Sequence, residues 1–175
     1  MRGERRGMLL HMRVLIVHHG PLPQLDSPTT GGALRAHWHW RSLLSSGAEL
    51  RTLHRDQDGP GGFTGPAHLR TLAAEYRPDW ILCVAPEEAP ALAGIAPLVV
   101  DLYAPRMLEA AFAGQQEDAA KTALLALDAA DEVLFSNAQQ RIFWLGMLGL
   151  AGWDLSRPLG TVVPFVADVE SVRES

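Results

Sequence analysis

The sequence predicts a doubly wound α/β domain, a parallel sheet of about six strands with helices on both faces. Two observations predict it. Short runs of β-branched and apolar residues recur at Arg13–His18, Glu49–His54, Trp80–Ala85, Pro97–Asp101, Glu132–Ser136 and Thr161–Phe165, and segments of helical periodicity separate them. Strands that alternate with helices pair in parallel, because each helix carries the chain back to the edge where the next strand starts. A chain of 175 residues, 47% of them hydrophobic, is long enough to bury one sizeable core.

Residues 1–12 read as a disordered leader. Its Met8-Leu9-Leu10 piece is too brief for the core of a signal peptide, and Met8 and Met12 are alternative starts. The first strand, Arg13–His18, runs through His19-Gly20-Pro21 and a polar loop into Thr29-Thr30-Gly31-Gly32-Ala33, which opens a helix over Ala33–Ser46. Ala33, Ala36, Trp40, Leu43 and Leu44 form its buried stripe, and Gly47 stops it. Asp58-Gly59-Pro60-Gly61-Gly62 marks a loop within Arg55–Gly65, and a helix over Pro66–Arg77 ends before Pro78. Met107–Ala129 reads as one long helix, with Leu108, Phe112, Ala119, Ala123 and Leu127 inward and Glu109, Glu117, Asp118 and Lys121 in solvent. Asn137–Leu150 is a further helix, and the pattern as a whole is Rossmann-like.

Composition narrows the function. The net charge is −5, with 15 Lys and Arg residues spread thinly, which disfavours nucleic acid as the main partner. The single cysteine, Cys83, lies in an apolar run; it excludes an internal disulfide and reads as a buried thiol in a reducing cytoplasm. No segment approaches the roughly 20 consecutive apolar residues of a bilayer span.

In a parallel sheet the loops after the strands share one edge and build one crevice. The residues placed there are His18, His19 and Gly20, then Gly31 and Gly32, Pro86-Glu87-Glu88, Asp101 and Tyr103, and Ser136 with Asn137. Gly31 and Gly32 open a helix whose first-turn N–H groups and dipole favour an anion, and their bare backbone permits close approach. Each of the others also has a local reading. Glu87 and Glu88 suit a first helical turn, Ser136 or Asn137 an N-cap, and Asp101 ahead of Leu102-Tyr103-Ala104-Pro105 a turn. His37 and His39 point about 200° apart on a helix and do not chelate one ion. Gly-x-Ser-x-Gly, His-Glu-x-x-His and a cysteine cluster are missing, as is the tight Gly-x-Gly-x-x-Gly turn of dinucleotide enzymes.

Four segments carry a resemblance to a known family: Arg13-Val14-Leu15-Ile16-Val17, Gly31-Gly32-Ala33-Leu34-Arg35, Val99-Val100-Asp101-Leu102-Tyr103-Ala104-Pro105 with Leu108-Glu109, and Ser136-Asn137-Ala138-Gln139-Gln140-Arg141-Ile142-Phe143-Trp144-Leu145-Gly146. Together they resemble the amino-terminal domain of retaining glycosyltransferases of the GT-B type, most of all the bacterial family-four enzymes. The resemblance runs from Arg13 to Asp168 and implies an acceptor-side domain over 13–168, with 169–175 as the start of a linker or tail.

It further implies that Gly31 and Gly32 form the donor diphosphate loop, and that His19, Gly20, Asp101, Tyr103, Ser136 and Arg141 line the cleft for acceptor or sugar. The implied partners are a nucleotide sugar as donor substrate, with no metal or other cofactor, and a glycan, lipid or small-molecule acceptor. A lipid acceptor would bring the helix over Gln139–Leu150 to the inner face of a membrane through Phe143, Trp144, Met147 and Leu148. The match departs from the family where Asp101-Leu102-Tyr103 replaces a histidine motif and Asn137 replaces a glutamate, so no catalytic residue carries over. No counterpart of the donor-binding domain follows Phe165. The chain is therefore expected to be inactive alone and to be completed by a second domain or subunit, as an excised, truncated or split transferase. The alternative is a non-catalytic binding or interaction module on the same fold.

Overall fold

A computed structural model describes residues 12–20, 30–55, 61–104 and 106–164. Residues 1–11 of the leader, the loop over 21–29 and the tail lie outside the described residues, whereas Met12, read as the end of the leader, packs against the core and its carbonyl accepts from Glu49 N–H at 2.9 Å. Six parallel strands form one sheet in the order β2-β1-β3-β4-β5-β6: β1 Arg13–His18, β2 Glu49–His54, β3 Trp80–Cys83, β4 Leu98–Leu102, β5 Glu132–Phe135 and β6 Thr161–Val162. Among the described residues six helices flank it: α1 Gly31–Ser45, α2 Pro66–Tyr76, α3 Ala89–Leu92 after a 3-10 turn at Pro86–Glu88, α4 Arg106–Phe112, α5 Gln116–Ala129 and α6 Ala138–Leu150.

The strand order dictates which face each helix covers. From β1 the chain first moves outward to β2, then returns past β1 to β3 and continues in that direction to β6. Right-handed crossovers in opposite directions put their helices on opposite faces. α1 accordingly packs on one face, where Ala36, Trp40 and Leu43 meet Val14, Ile16, Leu82 and Val84. The other face carries the larger core, in which Leu69 and Ala73 of α2, Leu92 of α3, Ala126 and Leu127 of α5 and Trp144 and Leu148 of α6 pack on Leu15, Val17, Ile81, Val100 and Val133.

Local chemistry sets the helix ends. Thr30 caps α1, its hydroxyl accepting from the N–H of Ala33 at 3.2 Å, and Asn137 caps α6 by accepting from Gln140 N–H at 2.8 Å. Pro66 sits in the first turn of α2, where its missing N–H costs nothing. The sequence reads Met107–Ala129 as one helix, but the structure divides it into α4 and α5. Gly114, at φ 71°, ends α4 in the left-handed conformation that only glycine adopts without penalty. α5 then starts afresh, with Glu117 and Asp118 in its first turn against the positive end of the dipole.

Candidate functional site

The reversal of strand order falls between β1 and β3, and a crevice opens where the loops after those strands part. Three side chains close a ring across it. His19 follows β1, Glu87 belongs to the turn after β3, and Arg106 starts α4 after β4. His19 Nδ1 lies 3.1 Å from Glu87 Oε1, and Arg106 Nη1 donates to Glu87 Oε2 at 3.2 Å. Arg106 Nη2 also donates to His19 Nε2. That last contact needs a lone pair on Nε2, so the imidazole is neutral and carries its proton on Nδ1. Burial lowers the His19 pKa from its ordinary value; Glu87 pulls it up, while Arg106 and Arg55 push it down.

Beside this ring a cleft of about 660 Å³ runs along the end of β4 and beneath α4 and α5, within the size range of small-ligand sites. Its lining combines polar residues, among them Glu87, Asp101, Tyr103 and Arg106, with apolar ones, among them Leu102, Met107, Ala110, Ala119, Ala123 and Trp144. Of the residues expected there, Gly31, Asp101 and Tyr103 line the cleft, and His19 adjoins it through Glu87 and Arg106. Gly20, Ser136 and Arg141 are not among its lining residues.

Gly32 has a local reason to be glycine. A β-carbon there would lie 2.8 Å from the Tyr103 hydroxyl and 3.4 Å from the His19 ring, so the close approach is made by Tyr103 itself. Gly31, one residue earlier, is exposed at the mouth, with the Tyr103 ring 3.9 Å from its built β-carbon. Tyr103 is fixed from the far side as well. Its carbonyl accepts from Ser136 Oγ at 3.2 Å and from Gln140 Nε2 at 2.7 Å, and Ser136 also bonds Gln140. The Ser-Asn-Ala-Gln-Gln segment thus ties the start of α6 to the end of β4. Trp144 and Leu148 of the same helix are buried in the core, with Phe143 and Met147 packed against it, whereas Ile142 and Leu150 are exposed.

Asp101 carries a second cluster that sequence reading missed. Its carboxylate is fully buried and accepts from Arg35 Nε at 2.7 Å, from Arg35 Nη2 at 3.4 Å and from His39 at 2.6 Å. His37, on another side of α1, stacks near Trp40 at 6.0 Å. Glu88 is also buried, and it receives Arg55 Nε at 2.7 Å while its neighbour Glu87 faces the cleft. Beneath the loops after β1 and β2, the His18 and His54 rings lie 5.7 Å apart. Burial first, and the His54 charge second, lower the His18 pKa to about 4. Cys83 is buried; its thiol donates to the Ala85 carbonyl at 3.0 Å, and burial pushes its pKa up.

Among the described residues no cluster of three or more His, Cys, Asp or Glu could hold a metal ion, and no helix is long and apolar enough to cross a membrane. No family model matches the sequence, and no curated protein or solved structure matches it either.

Proposed function

We propose that this chain is the acceptor-side domain of a nucleotide-sugar-dependent glycosyltransferase of the GT-B kind, working in the cytoplasm with a donor-binding domain supplied by further sequence or another subunit. The observation that carries the reading is the cleft at the strand reversal, bordered by Gly31 at the start of α1 and by Asp101 and Tyr103 at the end of β4. These are positions that the resemblance in sequence assigns to the donor loop and to the sugar or acceptor. Gly31, the first residue of α1, is exposed at the rim of the cleft, so the positive end of the helix dipole is offered there to a diphosphate. A leaving nucleoside diphosphate is stabilised by such fixed donors aimed at the developing charge.

A second reading, a non-catalytic binding module, is favoured by one feature of the same site. Glu87 and Arg106 are committed to each other and to His19, and Asp101 to Arg35 and His39, so neither Glu87 nor Asp101 stands free as a general base. The decisive experiment combines the chain with a candidate donor-binding domain and follows nucleoside diphosphate release across a panel of nucleotide sugars and acceptors. The transferase reading expects release from the pair and none from either part alone. An inactive pair across the panel leaves the binding module.

A further inference from the structure

The polar and apolar residues of the cleft make different demands on a ligand, and the balance of charge among them decides which head group it accepts. Its lining holds Glu87 and Glu109, the single guanidinium of Arg106, and Asp101, whose carboxylate is buried behind it. Arg106 is already bonded to Glu87, and Asp101 is matched by Arg35 from behind. No positive charge is left for an anion, and Glu109 adds a negative one. What remains in the lining is hydrogen-bonding capacity: the spare lone pairs of Glu87, the unused donors of Arg106, the Gln115 amide and the Thr122 hydroxyl.

Hydroxyl groups donate and accept without carrying a charge that must be desolvated. The rest of the lining is apolar, with the methyl and methylene groups of Leu102, Met107, Ala110, Ala113, Ala119 and Ala123 and the ring of Trp144.

We propose that this cleft binds an uncharged, hydroxyl-bearing amphiphile, with its polar head at Glu87 and Arg106 and its aliphatic or aryl body against Met107, Ala110, Ala119 and Trp144. In describing that ligand as the acceptor, the inference rests on the transferase reading; as a binding site it stands on the cleft alone. A diphosphate then belongs outside this cleft, at the Gly31 mouth, and the body of the acceptor inside it.

The test is calorimetric titration of the chain with octyl glucoside below its critical micelle concentration, against glucose, octyl sulfate and octyltrimethylammonium at matched concentrations. Saturable one-to-one binding of octyl glucoside is expected, with glucose undetectable and each charged amphiphile weaker by about tenfold or more. Equal binding of all three amphiphiles would reduce the cleft to a general apolar patch, and preference for either charged head would reverse the head-group assignment; each overturns the proposal.

Ala119→Phe, which places a ring in the cleft, should abolish binding without moving the thermal midpoint. Should that variant not fold, the alanine methyl resonances of Ala110, Ala119 and Ala123 in the unsubstituted protein must shift on titration, and unshifted methyls overturn the assignment. Neither measurement needs a donor or a second domain. A negative titration therefore removes the amphiphile and leaves the transferase reading standing, whereas an inactive assembled pair with a positive titration does the reverse.

Discussion

Two clusters of the same composition, one carboxylate, one arginine and one histidine, lie near the same edge of the sheet and behave as opposites. In the Asp101–Arg35–His39 cluster the side chains are 0%, 2% and 12% exposed; in the Glu87–Arg106–His19 cluster they are 33%, 38% and 25% exposed. The first joins α1 to β4 inside the fold, and the second joins three loops across the open crevice. Burial sets the difference. A carboxylate out of water must keep its partners, because an unpaired charge there has nothing to replace its hydration. One at a half-wet rim can trade a partner for water or for a ligand.

The sharpest way to break the comparison is Arg35→Met. It leaves Asp101 charged and buried with only His39 beside it, and should lower stability by about 3–5 kcal/mol in urea unfolding. Arg35→Met combined with Asp101→Leu removes the stranded charge and should recover most of that loss. A single variant that unfolds like the parent would place Asp101 with the rim cluster.

Acid comes next in size and acts on a neighbouring histidine. The His18 pKa is about 4 in the folded chain, against 6.5 as its ordinary value. Above pH 6.5 both states are neutral at this site and contribute no dependence. Between 6.5 and 4 the unfolded chain takes up a proton that the folded chain refuses, so stability falls as pH falls, by about 3 kcal/mol in all. His18→Leu should flatten that part of the stability profile measured from pH 7 to pH 4, and an unchanged slope would move the acid sensitivity to other groups.

Much of this arrangement was legible in sequence, and the failures have a common cause. The ends of β1 and β2 coincide with the apolar runs Arg13–His18 and Glu49–His54, because strand chemistry is local. The rule that loops after parallel strands meet brought Gly31, Asp101 and Tyr103 to one cleft. Arg35 and His39 escaped because their partner lies 66 and 62 residues away, and Arg106 because His19 lies 87 away; no periodicity reports a pairing across strands that only the fold brings together. The break between α4 and α5 did have a local signal. Gly114 followed by Glu117 and Asp118 combines a helix stop with a helix start, but the apolar stripe that continues across it argued for one helix.

The smallest expected effect bears on the rim. Glu87→Gln keeps the shape and an acceptor oxygen for one of its two partners, and at a third exposure its ion pairs contribute within the range of surface salt bridges. The loss of stability should therefore stay within about 1 kcal/mol by urea titration. The function of the crevice should feel more than the fold does. With the carboxylate gone, Arg106 loses its charge partner while Asp101 remains matched from behind by Arg35, so the cleft becomes less negative by one charge. Octyl sulfate should then bind relatively better, and octyl glucoside relatively worse, than in the parent chain. A loss of several kcal/mol would instead mean that this ring holds the loops together as the buried cluster holds α1, and the contrast between the two would vanish.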